Sequence, residues 1–556
     1  MTGISLPFAR GIPKVSAPWA HVAADTLRRR RVWIAVALML AIVAVAHGYN
    51  MLHYPYLEDD EGTYFSQAFA VFHLGRLAPE TYIYDHAPFG WIQIAVWQLL
   101  TDGARFGYGL ASGRVLMLLF QLGSALLVFG IGRRVTGKVW VGLLAAALSS
   151  LLPFGMLYQR RILLDNIATF WILASFYALT GPATLRRVWF SAAALAVAVL
   201  SKEIAIVAFP TMVVLVSRRS SPENRLFAVT GWLAVFLSIC STYVLLALLK
   251  GELFPAGTAL GGSHPHVSLI CSLMWQSQRG ADGGLLSSSS AFWHAVGSWL
   301  RSEPLLVIGG SAAVDYLVLV RRRDAFPSML AWTVISFWLF LGRGGIVQDF
   351  YLVPALPLLA LCLVIGLDAV VSDVRRRAPK RIAWRASRVV LGVAVVSIAF
   401  GCVLDFSHAG DALWTANPVG GQEQAVAWVD KHVPRDSHIV IDNYMWYDLH
   451  EPSAGRPFPD AIYYWNVGFN PTIRKQVFDD NWRDVDYVIT TPQMIHDTKL
   501  QVFPVVTPAL EHSESVRQFD TGGWTVDVRK VNPRSRVQLP LTAQTAQQPS
   551  CMTYGS

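Results

Sequence analysis

The chain has 556 residues, of which 53% are hydrophobic and only 15% charged, with a mean hydropathy of +0.40; a soluble globular protein of this length is far less apolar. The formal charge of +9 (46 basic against 37 acidic residues) sits in short clusters between apolar runs, which is the pattern of cytoplasmic loops and argues against nucleic-acid binding. Composition therefore points to a polytopic α-helical membrane protein.

Residues 1–31 read as a cytoplasmic segment that ends in Arg28 to Arg31, with no cleavable signal before the first apolar run. Basic clusters recur at Arg133/Arg134/Lys138, Arg186/Arg187, Arg218/Arg219/Arg225, Arg321 to Arg323 and from Arg375 to Arg388. Keeping them all on one side requires two crossings between neighbours. Runs at 32–49, 109–132, 139–153, 163–180, 188–200, 204–217, 227–249, 304–320, 325–341, 350–371 and 389–404 meet that condition. They give about eleven transmembrane helices, an inside N-terminus and an outside C-terminus. The short pair around Ser201-Lys202-Glu203 is read as a hairpin; a single helix there would reverse every later loop. Residues 32–404 thus form a transmembrane domain.

Three regions fall on the outer side. Residues 50–108 hold four consecutive acids, Glu58 to Glu61, which are too costly to bury in hydrocarbon, and a segment from Trp91 to Trp97 that reads as an interfacial helix. Residues 250–303 are rich in Gly, Ser and His and read as a mobile loop with a short helix near Phe292 to Leu300. Residues 405–532 read as an extracytoplasmic α/β domain. It has a helix from Gln422 to His432 ended by Pro434, and strands at His438 to Ile441, Tyr487 to Ile489 and Trp524 to Val528. Residues 533–556 lack periodicity and read as a disordered tail. The five cysteines show neither metal-ligand spacing nor a disulfide framework.

Carboxylates and cations from separate segments converge on the outer face: Asp60-Glu61 with Tyr64; Tyr84-Asp85-His86-Ala87-Pro88; Arg160-Arg161 followed by Asp165; Lys202; and Arg343 followed by Gln348-Asp349-Phe350-Tyr351. Such a set suits a base for an acceptor group and cations for an anionic leaving group, and Arg and Lys are the residues that bind a lipid phosphate.

On these motifs the region from about 30 to 405 resembles the polyprenyl-phosphate-dependent GT-C glycosyltransferases of the protein mannosyltransferase and aminoarabinose transferase type. The matching pieces are Asp60-Glu61-x-x-Tyr64, Tyr84-Asp85-His86-x-Pro88, Arg161-x-x-x-Asp165, Ser201-Lys202-Glu203 and Tyr351-Leu352-x-Pro354-x-x-Pro357. The resemblance implies an integral membrane glycosyltransferase that moves a sugar from a polyprenyl-phosphate donor to an extracytoplasmic lipid, glycan or protein with inversion. Asp60, Glu61 and Asp165 would be catalytic, with Asp60 as base. Tyr64, Asp85, His86, Arg161, Lys202, Arg343 and Tyr351 would bind substrate, with Lys202 and Arg343 on the departing phosphate. It also implies a multi-pass protein of the plasma membrane. His86-Ala87-Pro88 stands where relatives carry two prolines or Lys-Pro. Some relatives bind a divalent metal, for which His86, His264 and His266 are the candidate ligands, and no ligand set assembles from the sequence. The rival reading is a secondary transporter or flippase for a lipid-linked or sugar substrate, against which stand the clustering of charge at one face and the lack of a repeat.

Overall fold

The computed structural model describes residues 18–101, 109–182, 184–264, 266–278, 282–451, 457–535 and 537. Most of the expected tail and of the N-terminal segment lies outside the described residues, as does Cys551.

A helix stands at each of the eleven expected spans. In chain order, α1 is Pro18–Gly48, α2 Asp59–Phe69, α3 Phe89–Thr101, α4 Gly109–Thr136, α5 Val139–Leu151, α6 Pro153–Gln159, α7 Leu164–Ala178, α8 Leu185–Ser201, α9 Phe209–Arg219 and α10 Arg225–Leu249. There follow α11 Leu269–Gln278, α12 Ala291–Ser302, α13 Ser311–Leu319, α14 Ala325–Leu341, α15 Leu356–Arg377 and α16 Lys380–Ala409. Among the described residues, five helices are long and apolar enough to cross a membrane unaided, or up to seven if the bent pairs α5–α6 (66°) and α12–α13 (109°) each count as one span. The remaining expected spans are shorter helices; α7 is largely buried, while α8, α9 and α14 keep apolar residues such as Phe190, Val214 and Leu339 exposed. α10 and α16 lie outermost, and present Leu237, Val244, Val389, Val396 and Phe400 to the surroundings as lipid-facing helices do.

The basic clusters meet at one end of the bundle. Arg134 Nη1 donates to Thr180 Oγ1 at 3.3 Å, Arg219 Nη2 to Gly181 O at 2.8 Å and Arg218 Nη1 to Arg322 O at 3.4 Å. Lys138 and Arg321 pair with Asp368 (2.5 Å) and Asp373 (3.0 Å) near the end of α15. Because Arg219 at the end of α9 touches the turn that precedes α8, the two short helices run out and back as a hairpin. Lys202 is thereby at the opposite end, with Asp165 at the start of α7.

The chain after α16 folds through α17 (Ala412–Thr415) and α18 (Val419–His432) into a five-stranded sheet of order β2-β1-β3-β5-β4. Its strands are β1 Ile439–Ile441, β2 Ala461–Tyr463, β3 Tyr487–Thr490, β4 Ser513–Thr521 and β5 Trp524–Val531. β1 pairs in parallel with β2 and β3, while β5 runs antiparallel to β3 and β4. β1 is buried on both faces, as the central parallel strand must be. β2 and β4 carry no clear sequence signal. β2 has three residues, and β4 is an exposed edge strand rich in polar residues.

This sheet domain is seated directly on α2 and the segment around it. Gln422 exchanges two hydrogen bonds with the backbone of Leu57 (2.7 and 2.8 Å), and Asn443 Nδ2 donates to Thr63 Oγ1 at 2.6 Å. Tyr56 stacks on Trp524 at 3.6 Å, and Tyr447 packs edge-on against Phe65 and Phe69. Gly62 is required at this contact, since a Cβ there would lie 2.2 Å from Asn443 O. One hydrophobic cluster therefore spans the outer loop and the sheet.

Candidate active site

The site is built around the N-terminus of α2. Three acids, Asp59 to Glu61, occupy its first turn and a fourth, Glu58, its N-cap, because the unpaired N–H groups and the helix dipole favour negative charge there. They then diverge. Glu61 at the third helical position turns inward, accepts Arg114 Nε and Nη2 at 3.1 and 2.8 Å, and also accepts the backbone N–H of Ile162 (3.0 Å) and of Glu58 (3.3 Å). Arg114 spends its other donors on the carbonyls of Met51, Pro55 and Tyr56. Both side chains are fully buried. Glu61 is thus committed to a structural lock and does not face the cluster that holds Lys202.

Arg161 is committed as well. Its guanidinium pairs with Glu58 and lies over the rings of Tyr56 (4.5 Å) and Tyr158 (5.2 Å). Burial opposes its charge, and Glu58 and the tyrosines more than restore it. The neighbouring Arg160 is a staple, donating to Leu413 O, Ala46 O and Tyr49 O at 3.0, 2.8 and 3.1 Å. It ties α17 to the end of α1.

The remaining groups converge. Lys202 caps the end of α8, where the chain leaves helical geometry (φ −153, ψ 120). Its Nζ lies 3.0 Å from His86 Nε2, 3.4 Å from Tyr64 Oη and 3.8 Å from Asp165 Oδ2, and faces the rings of Tyr64 and Tyr351 at 5.8 and 5.9 Å. Burial works against the ammonium, yet Asp165, Tyr351, Asp60 and Glu203 together hold its pKa above the ordinary lysine value. Asp165 is fully buried, and neither of its carboxylate oxygens has a hydrogen-bond partner. Its nearest cation is Lys202, so the carboxylate keeps capacity to accept further hydrogen bonds. Asp60 is within electrostatic reach of Tyr64, Asp165 and Lys202. Its neighbour Asp59 is held well above the usual carboxylate range, by burial first and then by the charges of Asp60 and Asp442.

His86 is held on both ring nitrogens, by Lys202 and by Glu203 Oε2 at 2.9 Å. Asp85 precedes it; burial raises its carboxyl, and Oδ1 is unpartnered. Arg343 sits at the rim, exposed at the end of α14, donating to Phe340 O at 2.8 Å and stacked on that ring at 3.9 Å. Its charge still reaches Tyr351. The expected metal ligands do not assemble. His264 meets Glu252 at 3.3 Å, and His266 is bonded at both nitrogens to the carbonyls of His264 and Phe254. Among the described residues, no group of three or more His, Cys, Asp and Glu is disposed to hold a metal ion.

Glu58, Arg114 and Glu203 are the residues that sequence reasoning left without roles. Arg114 carried a usable signal, being a charge inside an apolar span, which marks a paired or functional residue.

No protein-family model and no curated protein matches the chain. In structure it is similar to ArnT from Cupriavidus metallidurans bound to undecaprenyl phosphate, with TM-score 0.54 and 16% identity over 89% of this chain and 97% of that one. It is also similar to the archaeal oligosaccharyltransferase AglB from Archaeoglobus fulgidus in complex with an inhibitory peptide and a dolichol-phosphate, with TM-score 0.55 and 12% identity over 91% of this chain and 75% of that one. The fold is accordingly the polytopic helical GT-C type with a C-terminal α/β region, as expected from the sequence.

Proposed function

We propose that the protein is an integral membrane glycosyltransferase that moves a sugar from a polyprenyl-phosphate donor to an extracytoplasmic acceptor, in a fold shared with lipid-phosphate-binding neighbours. The observation that carries this reading is the convergence of Asp60, Asp165, Lys202 and His86, from α2, α7, α8 and the loop between α2 and α3, at the end of the bundle opposite the basic clusters. By the positive-inside rule that end is extracytoplasmic and the N-terminus is cytoplasmic. A plasma membrane is the matching location.

In this reaction Asp60 takes the proton of the acceptor hydroxyl or amine as the acceptor atom bonds to the anomeric carbon. The bond from that carbon to the phosphate oxygen breaks on the far side, its electron pair passes to the phosphate, and the configuration inverts. Lys202 meets the charge that grows on the phosphate, with Arg343 at the rim. The Tyr64 hydroxyl and the unpartnered oxygens of Asp165 orient the sugar. Glu61 and Arg161 hold the loop that carries Asp60. The sheet domain, residues 405–532, bears on α2 from the outer side and takes part in acceptor recognition.

The test is purified protein with a labelled polyprenyl-phosphate sugar and a panel of envelope lipids, glycans and peptides. Transfer of label supports the reading. Movement of intact solute across vesicles without transfer would establish the transporter instead.

A further inference from the structure

Glu252 stands outside the site described above, yet it joins three separate elements. It follows α10 through a turn at Gly251, whose φ of 68° brings the Glu252 N–H back to Ala247 O at 2.8 Å. Its carbonyl accepts the backbone N–H of Leu269 at 2.9 Å, at the start of α11. The side chain is buried, and its carboxylate is shared. Oε2 accepts the Tyr84 hydroxyl at 2.5 Å and Lys250 Nζ at 2.7 Å, and Oε1 lies 3.3 Å from His264 Nε2. Burial opposes the negative charge, and the hydrogen bonds from Lys250 and Tyr84 more than restore it. The Tyr84 contact is therefore charge-assisted.

Tyr84 needs such a hold. Its backbone is left-handed (φ 55°), a conformation that a bulky residue rarely adopts and keeps only when its surroundings fix it. The second outer loop supplies the fixing. Beyond Glu252, Ser272 Oγ on α11 donates to Ile83 O, and Gln276 Nε2 donates to Asp85 O at 3.3 Å. Both residues flanking Tyr84 are thus gripped, and its ring packs against Tyr82 and Tyr243 with centroids 4.5 and 5.9 Å away. Two residues on, His86 Nε2 lies 3.0 Å from Lys202 Nζ.

We propose that Glu252 is a positioning residue for the donor site: by holding the Tyr84 hydroxyl it keeps the Tyr84-Asp85-His86 turn against Lys202, and so sets the affinity for the polyprenyl-phosphate donor without touching it. The inference rests on Lys202 being the phosphate-binding cation. Lys202 is itself anchored at the end of α8 and beside Asp165. When the hold on Tyr84 is lost, the turn is what shifts, and the loss falls on seating the donor rather than on the chemical step. Lys250 shares the same carboxylate oxygen, but its side chain is 42% exposed and bears on no part of the turn except the Tyr84 ring, 6.0 Å away. It serves as the control.

The experiment compares wild type with Tyr84→Phe, Glu252→Ala, their double variant, Glu252→Gln and Lys250→Ala. It reads transfer kinetics and, by calorimetry, the binding of undecaprenyl phosphate. Tyr84→Phe removes only the hydroxyl, so donor KM and the Kd for undecaprenyl phosphate should each rise about tenfold, with kcat within about threefold; this is the scale of one hydrogen bond to a charged group. Glu252→Ala should do the same, and the double variant should be no worse than either single one, because both break one contact. Glutamine keeps an oxygen for the Tyr84 hydroxyl, so Glu252→Gln should bring KM back to within about threefold of wild type. Lys250→Ala, which removes a half-exposed partner, should leave KM within about twofold. Unchanged KM and Kd in Tyr84→Phe, losses that add in the double variant, a loss confined to kcat, or a Lys250→Ala defect as large as that of Glu252→Ala would overturn the proposal. If wild type binds undecaprenyl phosphate but transfers no sugar, the glycosyltransferase reading fails and the Kd comparison still decides this one. Should Glu252→Ala not fold, Tyr84→Phe and Glu252→Gln decide it.

Discussion

Replacing Glu61 by alanine should unfold the outer loop rather than disable the chemistry. The change leaves the Arg114 guanidinium fully buried with its main counter-charge gone. It also strands the backbone N–H of Ile162 and of Glu58. Breaking one partner of a buried ion pair costs about 3–5 kcal/mol, and an unsatisfied buried donor adds about 1–3 kcal/mol. Glu61→Gln keeps the shape and one acceptor, so it should cost about half as much. Replacing the pair together, as Glu61→Leu with Arg114→Met, should recover part of the loss, because no lone charge remains. The three carbonyls freed from Arg114 would still need partners, so recovery is incomplete. The assay is thermal unfolding of detergent-purified protein alongside transfer rate per folded molecule at saturating substrate. Stability should fall in the order double variant and Glu61→Gln, then Glu61→Ala, with kcat of folded Glu61→Gln within about threefold of wild type. A stable Glu61→Gln whose kcat falls about a hundredfold or more would refute the structural assignment and return Glu61 to the catalytic group.

Three further outcomes are expected. Glu80 is clamped between Trp446 Nε1 (3.2 Å) and Asn466 Nδ2 (2.8 Å), and burial pushes its pKa up to about 7. With the folded value above the unfolded one, its contribution is most favourable below the unfolded pKa and is lost as pH rises toward 7. Hydrogen exchange at residues 446–451 and 457–469 should be slower at pH 5 than at pH 8 beyond the intrinsic rate change, and Glu80→Gln should remove the difference; equal protection at both would contradict this. Gly62→Ala drives a methyl into the Asn443 backbone and should lower stability by about 1–3 kcal/mol, read as earlier proteolysis of the sheet domain. Finally, cysteines placed at the exposed Pro182 and Ser221 should react with an impermeant maleimide from the same side, and one at Asp411 from the other. Labelling of Pro182→Cys and Ser221→Cys from opposite sides would disprove the α8–α9 hairpin.

Much of this architecture was legible because hydrocarbon imposes a simple rule: a span must be apolar and its flanks carry charge. The hairpin at Lys202 followed from charge placement alone, and the contact of Arg219 with the turn before α8 agrees with it. What could not be read was how four adjacent acids divide their work. One turn of helix sets Asp60 within electrostatic reach of Lys202, Glu61 on Arg114, Glu58 on Arg161 and Asp59 within reach of Asp442, and no spacing rule distinguishes these partners. Docking of the sheet domain on α2 was hidden for another reason. It depends on Gly62, Gln422 and Asn443, residues whose partners lie some 360 to 380 positions away. The histidines of the second outer loop looked like ligands by type alone, and they prove to be occupied by backbone carbonyls and Glu252.

The most direct test of the account is transfer of labelled sugar from a polyprenyl-phosphate donor by wild type and Asp60→Asn, with the anomeric configuration of the product determined. The account predicts an inverted product from wild type and at least a hundredfold lower rate, roughly, in a folded Asp60→Asn that still binds donor. A retained configuration, or normal transfer by Asp60→Asn, would contradict it.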